Sequence, residues 1–215
     1  MKVGDRIDRT HLYIRIFIQL TLVIALVIEA FNQRWGLFFV TALALFLLYM
    51  PPLFEKKYRV QIPAEFQLLL VLFIYASVFL GEVHGFYVRF WWWDSMLHFL
   101  AGVALGIVGF AIAYVLYKTG KITASPLFVA FFAFCFSMTG AVVWEIYEFG
   151  MDQFFGTNMQ RLETGVVDTM QDLIINTVGA IIASVAGYLY LKKGENFLLN
   201  RLIRKFAERN PDLFK

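Results

Sequence analysis

The sequence is poor in the residues that carry most recognisable chemistry. Of 215 residues one is cysteine, Cys135, and three are histidine. A single thiol inside an apolar run excludes a disulfide framework, and so few thiols and imidazoles exclude the tetrahedral zinc sites of finger-type modules. Proline is scarce, and charged residues make up only 16%. No GxxxxGK[ST], no GxGxxG opening a helix and no GxSxG occurs. Nucleotide binding and α/β-hydrolase chemistry therefore lack motif support. No solenoid repeat and no low-complexity linker divides the chain. A net charge of +3 is small, and nucleic acid is not expected among the partners.

What is abundant is apolar. The chain is 60% hydrophobic, against about 45–50% in soluble domains. Its mean hydropathy is +0.67. A membrane-crossing helix needs about 20 mostly apolar residues. Six stretches qualify, at roughly 12–31, 36–54, 66–81, 93–117, 125–150 and 170–191. The expected fold is all-α: a polytopic membrane helical bundle of six transmembrane helices over residues 1–195, followed by a basic amphipathic tail over 196–215. The first stretch is too long for a signal-peptide core and no A-x-A site follows, so it is expected to stay in the mature protein. The phenylalanine-rich run "FVAFFAFCF" is expected to face lipid or to pack, not to hold a cofactor.

Basic residues orient such a bundle. The N-terminus carries Lys2, Arg6, Arg9 and Arg15, and the loops after spans two and four carry Lys56, Lys57, Arg59, Lys118 and Lys121. The tail adds Lys192, Lys193, Arg201, Arg204, Lys205, Arg209 and Lys215. Only Arg34, Arg89 and Arg161 remain for the other side. Both termini are therefore expected in the cytoplasm of a bacterium, with the chain a multi-pass protein of the inner (plasma) membrane. The tail from Asn196 to Phe206 reads as a helix lying on the inner leaflet.

The acids gather at the opposite ends of the spans. Asp94 opens the fourth, Glu145, Glu148 and Asp152 close the fifth, and Asp168 and Asp172 open the sixth. Because successive spans alternate in direction, all three groups fall at the extracytoplasmic end. At about 100° per residue, Asp94 and His98 lie about 40° apart, and Glu145, Glu148 and Asp152 fall within about 60°. Asp168, Asp172 and Asn176 fall within about 80°. Ala101, Gly102 and Gly179 continue these faces, and small residues there let helix backbones approach closely. Three helices are thus expected to turn carboxylates, one imidazole and one amide toward a shared cavity. Glu82, in "GEVHGFYVRF", would join from a fourth side.

An isolated charge at the bilayer centre costs about 3 kcal/mol on insertion scales, and clustered carboxylates repel one another. Two arginines, Arg89 and Arg161, cannot balance six acids. A divalent metal ion (zinc, manganese, magnesium or calcium) held by Asp94, His98, Glu148, Asp152, Asp168 and Asp172 would compensate. Shared protons would also do so. In a metal-dependent enzyme Glu145 or Glu148 would act as general base, His98 as ligand or proton shuttle, and Arg161 as a bidentate clamp on a substrate phosphate.

Plainer roles compete for individual residues. Trp91, Trp92 and Trp93 suit an aromatic belt at the water interface. Asp94 and Asp168 suit helix N-caps. Glu163 and His84 suit a solvated loop, and His11 lies on the cytoplasmic side. Glu29, with Asn32 and Gln33, is expected to reach water at the end of the first span.

The segments "DSMLHFLAG", "WEIYEFGMDQ" and "DTMQDLIINTVGA" resemble the YjdF-like family of bacterial inner-membrane proteins, most clearly over spans three to six. They also look like a distant version of the VanZ-like family. Its pattern falls here on Asp94, His98-Phe99, Glu148, Gln153, Arg161, Asp168, Asp172, Asn176 and Gly179. Ser95 stands where VanZ-like proteins often carry lysine, and Glu145 and Asp152 are additional acids. The resemblance implies functional roles for these positions, with Gln153 and Asn176 beside Arg161 and Glu82 on the substrate side. It also implies a link to glycopeptide resistance and to envelope lipid or cell-wall precursors.

Three functions fit: a metal-dependent hydrolase or transferase acting on a lipid or lipid-linked substrate, a cation- or proton-coupled transporter, and a non-catalytic lipid-binding protein with a structural ion site. The topology has its own test. Green fluorescent protein fused after Lys215 is expected to fluoresce, and alkaline phosphatase fused after Arg89 to be active. The reverse pattern would invert the bundle.

Overall fold

Long apolar runs broken only by glycine, proline and short polar loops leave the backbone one way to satisfy itself in lipid, which is helix. The computed structural model describes residues 3–160, 165–194 and 197–214, and no strand occurs among them. Six helical segments are long and apolar enough to cross a membrane: Thr10–Phe31, Trp35–Tyr58, Ala64–Val83, Trp93–Lys118, Pro126–Phe155 and Val166–Lys193. They match the six expected spans, with the fifth and sixth running a turn further at their polar ends. The chain divides into two compact units, Met1–Trp93 and Asp94–Lys215.

The first unit contains α1 (Val3–Phe31), α2 (Trp35–Leu47), α3 (Met50–Tyr58), α4 (Ala64–Ile74) and the short α5 (Phe86–Arg89). Its core joins Ile18 and Leu22 of α1 to Ala44, Leu48, Val71 and Phe79. The second span is broken between α2 and α3 by Pro51 and Pro52. Neither proline has an N–H, so the carbonyls of Leu47 and Leu48 lose their helical partners. The Arg15 guanidinium reaches across from α1 and donates to the Leu48 carbonyl, Nη2 to O 3.4 Å. That contact gives a charged residue of the first span a structural task.

Glu29 departs from expectation. It is 5% exposed, and Thr41, itself buried, donates its hydroxyl to Glu29 Oε1 at 3.0 Å. The reason is register: Glu29 lies on the α1 face that carries Ile18 and Leu22 inward. Past Ile74 the helix widens into a π-helix over Tyr75–Val83. There Ser77 turns its hydroxyl back to the Phe73 carbonyl at 2.9 Å, a local competitor for the helical ladder. Gly81 leaves room for the ring of Tyr87 to lie against the backbone. The tryptophans divide their roles. Trp91 is 83% exposed, as an interface belt requires. Trp93 turns in, packs edge-on against Phe86 at 4.9 Å and donates its indole N–H to the Ala76 carbonyl at 3.3 Å.

The second unit contains α6 (Trp93–Lys118), α7 (Pro126–Phe155), α8 (Val166–Lys193) and α9 (Phe197–Arg209), then a 3₁₀ turn over Pro211–Phe214. Ser125 caps α7 by accepting from the Phe128 N–H at 3.2 Å, with Pro126 in the first turn. Gly156 ends α7 in the left-handed region, φ +65, where a Cβ is disfavoured. Glycines also set the crossings. A Cβ at Gly179 would strike the backbone of Phe99 and Val103, and one at Gly102 the carbonyl of Asn176. Ser137 of α7 donates to the carbonyl of that same Gly102 at 2.8 Å.

The tail packs within this unit, Asp94–Lys215. Ile203 of α9 is buried with Phe110, Ala113, Tyr114 and Val129. Phe214 folds back so that its ring meets Tyr114 and Phe206, each at 6.4 Å. The apolar side of α9 is thus spent partly on protein.

Burial in the three long helices of this unit is inverted relative to a water-soluble protein. His98, Ser137, Glu145, Glu148, Asp152, Asp168, Asp172 and Asn176 are buried, whereas Leu127, Phe131, Ile146, Ile174 and Ile181 are exposed. Only an apolar surround makes that arrangement favourable.

Gly179→Val is expected to cost about 1–3 kcal/mol by overpacking the α6–α8 crossing and to lower the thermal midpoint in detergent. Gly36→Ala is the control, because a Cβ there meets nothing within 4 Å. It should leave the midpoint unchanged or raise it.

Candidate functional site

Three helix ends meet in the second unit. The first turns of α6 bring Asp94 and His98, the last turns of α7 bring Glu145, Glu148 and Asp152, and the first turns of α8 bring Asp168, Asp172 and Asn176. The crossing at Gly102 and Gly179 holds α6 and α8 close enough for their side chains to interlock one turn nearer the polar end. The convergence expected from alternating spans is present.

His98 is the hub. It is 7% exposed. Its Nε2 lies 3.5 Å from Asp94 Oδ1 and 3.8 Å from Asp172 Oδ2. Its Nδ1 lies 2.9 Å from Asn176 Nδ2 and 3.9 Å from Glu145 Oε1. The Asn176 amide faces Nδ1, and Nε2 faces the two aspartates. One imidazole thus touches residues of all three helices.

Asp94, His98 and Asp172 each offer a ligand atom, and these atoms lie within 4.8 Å of one another. Glu145 makes the cluster more than a set of acids. It is 5% exposed, and neither of its carboxylate oxygens has a hydrogen-bond partner. A buried carboxylate left unpaired is expensive. Its position beside His98 says where a compensating charge belongs. Asn176 Oδ1 is buried and unpartnered as well.

The other acids have different tasks. Glu148 accepts the indole N–H of Trp144 at 2.8 Å, which fixes its rotamer. Asp152 organises the turn after α7: Oδ1 accepts from the Thr157 hydroxyl at 2.5 Å and the Met159 N–H at 2.7 Å, and Oδ2 accepts from the Gln160 N–H at 2.9 Å. Its lone pairs serve a loop, not the centre around His98. Asp168 is buried one turn before Asp172. Neither Asp94 nor Asp168 is an N-cap; each sits inside the first turn, where a carboxylate suits the helix dipole. Gln153 is exposed, Glu82 is an exposed residue of the first unit, and Arg161 lies outside the described residues.

Several contributors had no sequence signal of their own. Ser137 ties α7 to α6, and Gln160 Nε2 donates to the Thr169 hydroxyl at 2.8 Å, joining the loop to α8. Trp144 looks like one more interface aromatic. Only its spacing of four residues from Glu148 marks the pair, a spacing that places two side chains on one face.

Comparison with known proteins gives one family and no structural template. The family described as predicted membrane protein (DUF2238) matches residues 14–193. A protein of Thermotoga maritima titled "Uncharacterized protein" is 27% identical over 150 residues, covering 69% of this chain and 74% of its own. No solved structure matches.

Asp152→Ala removes an acceptor from three donors of one loop. Hydrogen bonds to a charged group contribute about 1.5–3 kcal/mol each, so the thermal midpoint in detergent is expected to fall clearly. Whatever binds at His98 should be retained. Loss of that binding at unchanged stability would place Asp152 in the centre instead.

Proposed function

From the premise that the chain belongs to the DUF2238 family of predicted membrane proteins, we propose that its second unit carries a divalent-metal centre. Asp94, His98 and Asp172 are the ligands, and the centre acts on a lipid or lipid-linked envelope substrate at the outer face of the bacterial inner membrane. The observation that supports this most is the grouping of three donors from two helices within 4.8 Å, beside a buried glutamate without a hydrogen-bond partner. The donor chemistry narrows the metal. Magnesium and calcium prefer all-oxygen shells, whereas one imidazole nitrogen among carboxylates suits zinc or manganese.

A metal in such a site polarises a phosphoryl or acyl oxygen and lowers the pKa of bound water. The residues around it divide the remaining work. Glu145 sits 3.9 Å from the ring of His98, so it is the general base. Glu148, already engaged by Trp144, shapes the wall behind it. Asn176 holds His98 through Nδ1, the outer partner that orients a metal-ligating imidazole. Asp94 and Asp172 supply the negative charge that a dication needs. The distant VanZ-like resemblance points the substrate toward envelope lipids and cell-wall precursors.

The transport reading has less support. Beyond His98 the α6–α8 and α6–α7 seams are filled by Gly106 on Ala183, Gly109 on Phe136 and Gly187 on Phe110. A route through the bilayer would need polar groups there. Arg15, the charged residue of span one that such a route would use, donates to the Leu48 carbonyl.

Metal content by mass spectrometry on detergent-purified protein tests the proposal. Stoichiometric zinc or manganese is expected in the wild type and none in His98→Ala or Asp172→Ala. Asn176→Ala should weaken binding about 10–100-fold. Glu145→Gln should keep the metal and lose the cellular phenotype of the intact gene. Metal-free wild type that is folded would overturn the metal centre.

A further inference from the structure

The ring of His98 separates two sets of side chains. Its Nε2 faces Asp94 and Asp172 at 3.5 and 3.8 Å, the two carboxylates that group with it as metal donors. Its Nδ1 points the other way, to the Asn176 amide at 2.9 Å and Glu145 Oε1 at 3.9 Å. A cation bound on the Nε2 side therefore leaves the Nδ1 side as it is. That side is built from acceptors. Glu145 and Asn176 are 5% and 2% exposed, and Glu145 Oε1, Glu145 Oε2 and Asn176 Oδ1 have no hydrogen-bond partner.

Water alone would supply hydrogens but no charge, and a buried carboxylate needs both. Among the described residues no protein cation is placed to help. The lysines and arginines of this unit are Lys118, Lys121, Lys192 and Lys193, at or beyond the far helix ends, and those of α9. The centre draws on five carboxylates, Asp94, Glu145, Glu148, Asp168 and Asp172, of which a dication balances two. What fits the Nδ1 side is small, positive and rich in N–H. An ammonium group has three N–H donors and no acceptor. A phosphate has the wrong sign, and a quaternary ammonium has the charge without the donors. The surroundings indicate where the group comes from. Ile146 follows Glu145 directly, and Ile174 lies between Asp172 and Asn176; they are 63% and 57% exposed, on helices of membrane-crossing length. Lipid-facing and site-facing residues thus share the same turns, and a headgroup at these helix ends has a short approach.

We propose that the Nδ1 side of His98 binds the primary ammonium of an amine-bearing phospholipid headgroup, held by Glu145 Oε2 and Asn176 Oδ1. The inference rests on the reading of the centre as lipid-directed, and it names the substrate class. Glu145 Oε1 stays turned to His98. The phosphate of the same head falls to the metal on the Nε2 side, so a zwitterionic head spans the ring with each charge on its own side.

Native mass spectrometry of the full-length protein in detergent tests this, with phosphatidylethanolamine, phosphatidylcholine and phosphatidylglycerol of identical acyl chains. Phosphatidylethanolamine is expected to bind several-fold more tightly than the other two. Phosphatidylcholine keeps the positive charge but has no N–H, so equal binding of these two would overturn the proposal. Glu145→Gln is expected to abolish the preference, with metal content unchanged and the thermal midpoint at or above the wild-type level. A preference that survives in that folded variant would place the ammonium elsewhere and overturn the proposal as well. Asn176→Asp keeps an oxygen acceptor at that position and should retain the preference; its loss from the folded variant would count as refutation. Glycerophosphoethanolamine, the same head without chains, identifies the source. It should not displace the lipid, and displacement at equal concentration would overturn the lipid source. Stoichiometric metal without a phosphatidylethanolamine preference would refute this inference and retain the metal centre. The preference in folded, metal-free wild type would do the opposite.

Discussion

The backbone contact between α6 and α8 at Gly102 and Gly179 is the constraint on which the second unit depends. Neither position tolerates a Cβ without moving the opposite helix. Helices in lipid gain little from burying apolar surface against each other, so close approach and dispersion have to supply the attraction. The crossing also fixes rotation. With Gly102 against the Asn176 carbonyl, the Asp94/His98 face of α6 and the Asp172/Asn176 face of α8 have no other direction to turn. Ser137 then joins α7 through the carbonyl of the same Gly102. A contact without polar chemistry of its own thereby sets the geometry of the polar centre.

Much of this was legible in the sequence, because a bilayer leaves few options. Apolar runs of span length marked the six helices, and the alternation of direction placed Asp94, Glu145 and Asp172 at one end. Helical periodicity separated His98 and Asn176 from the lipid-facing leucines. The assignment of tasks within the acidic set was less legible, since carboxylates look alike in sequence. Asp152 follows Glu148 by one turn on the same face, yet it lies where α7 ends at Gly156, and a carboxylate there meets loop N–H groups before it meets His98. Trp144 separates Glu148 from Glu145 in the same way, through one indole hydrogen bond. Glu29 was misread because a carboxylate near a helix end suggests water; the inward face of α1 and the hydroxyl of Thr41 decide otherwise.

The two units answer the same problem differently. In the first, polar groups meet partners one at a time, Arg15 with the Leu48 carbonyl, Glu29 with Thr41 and the Trp93 indole with Ala76, and Glu29 Oε2 alone of these groups keeps a buried oxygen without a partner. Each pair satisfies a local defect of helix geometry or burial. In the second, polar groups are concentrated and left incomplete, with Glu145 and Asn176 holding unpartnered oxygens. Paired defects stabilise a scaffold. An incomplete cluster is what a ligand completes, and functional centres characteristically retain such local frustration.

The Arg15–Leu48 contact bears on how the chain enters the membrane. Ribosomal synthesis delivers Arg15 more than thirty residues before Leu48, so the first helix reaches the translocation machinery with its guanidinium unmatched. The carbonyl freed by Pro52 is likewise unmatched until α1 is beside it. Each helix carries a penalty alone that the other removes. Forming the first two spans as one hairpin removes both penalties together.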